Sequence, residues 1–129
     1  ADFVALLDQF LRGLASTKNA HGSLASQTAV VVTSELGRFP IINGDLGKDH
    51  WPEAPLLFFG PHFAGGTTWV PTGKMMEGLP VSPTTGAPGG PGAVNLLLDD
   101  VGTTLVHMAG MNPTLFGYNG KRLRFLERA

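Results

Sequence analysis

The 129-residue sequence contains no cysteine. This excludes disulfide staples and cysteine-held zinc, but it does not fix a compartment, because exported proteins without cysteine are common. Charge is also scarce: Asp, Glu, Lys and Arg make up 15% of the chain and the formal net charge is -1. The one basic cluster, Lys121, Arg122, Arg124 and Arg128, is too small a field to hold a phosphate backbone, so nucleic acid is not an expected partner. No uninterrupted apolar run reaches the roughly 18 residues that a membrane-spanning helix needs. The sequence opens on Ala1 and enters at once on an amphipathic pattern, which reads as a start inside a longer polypeptide.

Glycine and proline are abundant instead, at 18 and 10 residues, more than a fifth of the chain. That content predicts long turns between few regular elements, while 43% apolar residues suffice for a core. Asp2 can cap a helix over residues 2–15, whose apolar positions Phe3, Leu6, Leu7, Phe10, Leu11 and Leu14 recur at helical spacing. A polar loop over 16–27 leads into Thr28-Ala29-Val30-Val31-Val32-Thr33, the clearest strand. Its continuous apolar run predicts a central strand covered on both faces, as in parallel α/β sheets. Leu56-Leu57-Phe58-Phe59, between Pro55 and Gly60, reads as a second buried strand. Thr67 to Val70 is a candidate third. The segment 71–92 carries five prolines and six glycines and predicts a lid, an insertion or a mobile loop. Leu97, Val101, Leu105 and Met108 place a helix between Val94 and Ala109, stopped by Gly110, with Asp100 as an alternative cap of a shorter helix. Leu123-Arg124-Phe125-Leu126 is expected to close the chain as an edge strand.

The long loop over 34–55 is where chemistry is expected, since strand-end loops of α/β proteins place polar groups on a rigid platform. It holds Ser34-Glu35-Leu36-Gly37-Arg38-Phe39-Pro40 and, ten residues on, Gly47-Lys48-Asp49-His50-Trp51-Pro52. Glu35 and His50 are the most metal-compatible pair, a carboxylate and an imidazole suiting a hard or borderline divalent cation; Asp49 is a third ligand or an orienter of His50. Against this stands a structural reading in which Glu35 caps a turn or pairs with Arg38 or Lys48. Trp51 beside Pro52 reads as a packing anchor, so Arg38, Lys48 and Trp51 are loop-organising or binding candidates. His21, His62 and His107 are isolated and read as structural, the last near a helix carboxy end where a cation is favoured. Thr67 and Thr68 after Gly65-Gly66 suggest a nucleophile turn, or a plain glycine turn.

Taken together, Thr28 to Pro40 followed by Gly47 to Pro52 resembles the signature of the domain-of-unknown-function 1501 family, a strand running into S-E-F-G-R-T-P and then G-R-D-H-W-P. Asp100 to Leu105 and Gly110 to Pro113 resemble its closing helix and terminal turn. The resemblance implies an alkaline-phosphatase-like, three-layer α/β domain with a central, mostly parallel sheet, of which residues 1–129 form the carboxy-terminal segment. It implies two divalent metals at the sheet's carboxyl edge, hydrolysis of phosphate or sulfate esters, and export to the periplasm or cell envelope by the twin-arginine route. Glu35 then takes the place of the aspartate in a metal-binding Asp-His pair, and His50 that of a later metal histidine, with zinc, manganese or calcium as the implied ion.

Three positions depart from this inheritance. Leu36 stands where the second half of the metal pair belongs and cannot ligate. Lys48 replaces an arginine, which loses a bidentate grip on a carboxylate or phosphate, and Phe39 replaces a threonine; both weaken the transfer of function. The superfamily's nucleophile belongs to amino-terminal strands preceding Ala1, so the expected partner is the amino-terminal part of the same protein, a companion chain, or an oligomer or envelope assembly. A degenerate, non-catalytic binding or assembly module is the alternative to a hydrolase.

Overall fold

A computed structural model describes residues 2–66 and 71–128. The candidate strand and nucleophile turn at Thr67 to Val70 lie outside the described residues. The chain is of mixed, α/β-like character, with two α-helices and three short two-stranded antiparallel sheets among the described residues.

Helix α1 spans Phe3–Ser16, with the Asp2 carboxylate accepting the Val4 amide at 3.0 Å as its cap. The amphipathic pattern forms the helix, yet its apolar residues are not buried: Phe3, Val4, Leu6 and Phe10 are all exposed. The helix leans on β2 of a small hairpin, β1 (Lys18–Asn19) with β2 (Gly22–Ser23), and on the 3-10 turn Leu24–Ser26 that follows it.

Strand β3 (Val30–Thr33) pairs with β6 (Leu56–Phe59) in an antiparallel ladder, Val30 opposite Phe59 and Thr33 opposite Leu56. Here the structure differs from the sequence expectation in two ways. The expected neighbour was parallel, but a parallel partner requires a crossover, usually helical, whereas residues 34–55 fold back as a ribbon, which suits antiparallel return. The expected cover was on both faces, but the period-2 alternation of a strand splits this one. Leu56 and Phe58 pack on the core, while Leu57 on the opposite face is exposed. A central parallel sheet is not among the described elements.

The core lies in the carboxy-terminal half. Val81, Val101, Leu123, Phe125 and Leu126 are buried together, with Leu56, Phe58, Leu96 and Leu105 against them. Segment 71–92, expected as a lid, an insertion or a mobile loop, is tied to this cluster: Val81 is fully buried and exchanges backbone hydrogen bonds with Val94 at 2.9 Å. One expectation is corrected by the cluster. Leu123 to Leu126 is not an edge strand. Residues Arg124–Leu126 form a 3-10 turn, which lets Leu123, Phe125 and Leu126 all be buried, where strand alternation would have put Phe125 and Leu126 on opposite faces.

Helix α2 (Leu98–Met108) is tied to this closing segment through buried polar groups. Asp100 is not the cap of a shorter helix but sits in the first turn, with Leu97 as the capping position. One Asp100 carboxylate oxygen accepts the Leu97 amide at 2.9 Å and the other accepts the Lys121 amide at 2.6 Å. One turn on, Thr104 donates its hydroxyl to the Asp100 carbonyl at 2.7 Å and accepts the Leu123 amide at 2.9 Å. Both side chains are essentially buried, so these bonds are made away from water, where leaving them unmade is costly. Gly102 between them packs under the Tyr118 ring, which would have to move to admit a Cβ there.

Candidate functional site

The loop over 34–55 is organised as a ribbon, β4 (Gly37–Arg38) pairing antiparallel with β5 (His50–Trp51). Gly37 stands opposite Trp51 and Arg38 opposite His50, and the ladder continues as Phe39 donates its amide to the Asp49 carbonyl at 2.9 Å. Glycine is needed at 37 because a Cβ there would lie 1.7 Å from the Glu53 carbonyl oxygen. Glu53 in turn accepts the Gly78 amide with its carboxylate, joining the ribbon's base to the 71–79 turns.

The ribbon's tip is built by Asn43. Its side-chain oxygen accepts the amides of Asp45 at 3.1 Å and Gly47 at 2.9 Å, and its amide group donates to the Asp49 carboxylate at 2.8 Å. Sequence reasoning did not single out Asn43. The signal was available in Asn43-Gly44-Asp45, a turn-forming run in which an Asx side chain mimics a backbone turn.

Strand alternation divides the candidate residues between two faces. Arg38 and His50, directly opposite each other, share one face. Phe39 and Trp51 meet on the other, their ring centroids 4.8 Å apart and tilted by 41°. The Trp51 indole N–H is buried with no hydrogen-bond partner among the described residues. Asp49 directly precedes His50, so alternation sends the two side chains apart, and the Asp49 carboxylate is engaged with Asn43.

Glu35 lies in the exposed bend between β3 and β4. Neither an ion pair nor a hydrogen bond of its carboxylate is formed with Arg38 or Lys48 among the described residues; Arg38 instead donates to the Lys48 carbonyl at 3.1 Å. The next residue, Leu36, uses its carbonyl to accept the Ser34 hydroxyl at 2.9 Å. Glu35, Lys48, Asp49 and His50 are exposed, so each side chain is open to solvent or to a partner.

These donors do not amount to a closed metal site. No three His, Asp or Glu side chains converge within a cation's reach among the described residues. Glu35 and His50 offer one carboxylate and one imidazole, which is half a tetrahedral shell, and Leu36 adds nothing.

The fold and the ribbon define an α/β-like chain carrying a glycine-dependent, aromatic-locked β-ribbon directly after a strand. The chain belongs to the family described as protein of unknown function (DUF1501), which matches residues 2–125. No curated protein and no solved structure matches it significantly. No helix of the described residues is long and apolar enough to cross a membrane.

Proposed function

We propose that this chain forms the carboxy-terminal part of a larger, alkaline-phosphatase-like α/β domain, exported to the cell envelope, that hydrolyses phosphate or sulfate esters at a reduced metal site. The observation that carries the reading is the presentation of Glu35 and His50, exposed and without side-chain partners among the described residues, on and beside a ribbon that follows strand β3. Glu35 and His50 supply the donors this chain contributes, and the remaining donors and the nucleophile come from outside it. Asp49, held by Asn43, fixes the ribbon from its other face. Bound there, zinc, manganese or calcium supplies Lewis acidity toward an ester oxygen.

Two apolar surfaces support membership of a larger domain: the stripe of α1 at Phe3, Leu6 and Phe10, and the outer face of the β3–β6 ladder at Leu57. Both strands of that ladder also have one edge free of partners among the described residues, and buried backbone donors and acceptors require pairing. Further strands beside β3 or β6 would complete the three-layer sheet.

A second reading, a non-catalytic binding or assembly module, is favoured by Leu36 and by the ribbon's self-sufficiency, since Asn43 and the Phe39–Trp51 contact hold it without a metal. Ester hydrolysis by the intact protein separates the two. The hydrolase reading expects turnover of an aryl phosphate or aryl sulfate that is abolished by chelation and by His50→Ala. Turnover indifferent to both refutes the metal site, and no turnover with any divalent ion supplied leaves the module.

A further inference from the structure

A second cluster of charged side chains lies away from the ribbon, where segments 61–63, 107–109 and 122–128 meet. Arg122 holds Glu127 in a two-pronged ion pair, Nε to Oε1 and Nη2 to Oε2, each at 2.6 Å, and its Nη1 lies 2.8 Å from His107 Nε2. Arg128, one residue beyond Glu127, donates its backbone amide to the His62 carbonyl at 2.8 Å. Its guanidinium and the His62 ring have no hydrogen-bond or ion-pair partner among the described residues, and both line the same open cleft of about 520 Å³ with His107, Arg122 and Glu127. With Arg122 matched by Glu127, Arg128 is left without an ionic partner among the described residues.

Beside the cleft is a smaller pocket of about 200 Å³, walled mainly by Ala29, Phe63, Leu105, Met108 and Ala109, with Gln27 and His62 as its polar members. His62 and Met108 line both spaces, so the two are neighbours. A cationic fork next to an apolar recess fits a ligand with an anionic head and an apolar body. The planar guanidinium favours a carboxylate head, the group that Arg122 already takes from Glu127 in the same two-pronged geometry.

We propose that the cleft and the pocket together bind a small carboxylate carrying an apolar group, with Arg128 and His62 on the head and Phe63, Leu105 and Ala109 around the body. None of these residues belongs to the Glu35–His50 ribbon, so the two assignments stand or fall separately. The test is titration of the protein with benzoate, acetate and inorganic phosphate, followed by amide and side-chain NMR shifts. Benzoate is expected to bind at least about tenfold more tightly than acetate, through burial of the ring. Arg128→Gln, an exposed position, is expected to weaken benzoate about tenfold or more through loss of the charge-assisted pair. Ala109→Leu, which fills the recess, should bring benzoate down to the level of acetate. Absence of saturable benzoate binding, indifference to Arg128→Gln, or phosphate binding more tightly than benzoate would overturn the proposal.

Discussion

Replacing Asp100 with asparagine tests whether the carboxy-terminal core is held by buried polar ties as well as by apolar packing. The Asp100 side chain is 2% exposed and both of its oxygens are used, toward the Leu97 and Lys121 amides at 2.9 and 2.6 Å. Asparagine keeps one acceptor and turns a donor toward the other amide. A buried donor left unsatisfied costs about 1–3 kcal/mol, and exchanging a charged acceptor for a neutral one weakens the bond that remains. The sum is a destabilisation of about 3 kcal/mol. For a small protein losing roughly 1–3 kcal/mol of stability per molar urea, the unfolding midpoint should fall by about 1–3 M with an unchanged slope. Thr104→Val should lose about 1–3 kcal/mol by the same route, since the Leu123 amide would lose its acceptor, whereas Thr104→Ser retains it. Urea unfolding followed by far-ultraviolet circular dichroism measures both. An unfolding free energy for Asp100→Asn within about 0.5 kcal/mol of the parent, the range of ordinary surface substitutions, refutes the tie.

The Arg122–Glu127 pair carries a pH dependence. Hydrogen bonding to Arg122 holds the Glu127 carboxyl below its ordinary value of 4.5, aided by charge attraction to Arg122, His107 and Arg124 and opposed by burial. A carboxyl depressed in the folded state stabilises it above the unfolded value and loses that effect as pH falls through the folded one. Glu127→Gln should therefore be destabilising at neutral pH and indistinguishable from the parent in acid well below 4.5, as read from urea midpoints at both pH values. Gly37→Ala should open the ribbon, because its Cβ meets the Glu53 backbone at 1.7 Å, and amide exchange should accelerate at Phe39 while α2 stays protected.

Local signals in the sequence were legible where a single element carries them. The helical spacing from Phe3 to Leu14 and the cap at Asp2 gave α1 within one residue, and the β-branched run gave β3. The stripe at Val101 and Leu105 gave α2. What escaped was non-local. Val81 sits in a stretch whose glycines and prolines look mobile, and its burial depends on Val94 and Leu123, far along the chain. Asp100 resembles a cap because its second bond reaches Lys121, twenty-one residues away. Leu123 to Leu126 carries apolar residues at strand-like density, and a 3-10 turn was chosen by the need to bury three of the four. At the site, the sequence grouped Glu35, Asp49 and His50 by proximity in one loop, but ribbon alternation separates Asp49 from His50, and the Asn43 contacts explain what Asp49 does. The exposed apolar stripe of α1 shows the converse: a pattern can be fully legible while no element among the described residues buries it.

In the proposed function, the ribbon contributes part of a metal shell in the intact protein. Metal content of that protein, measured after purification without chelators, tests it most directly. A stoichiometric divalent ion is expected, and it should fall below stoichiometry in both Glu35→Gln and His50→Ala while the fold is kept. A metal-free parent that stays so when zinc, manganese or calcium is supplied, or a bound ion unchanged by both substitutions, contradicts it.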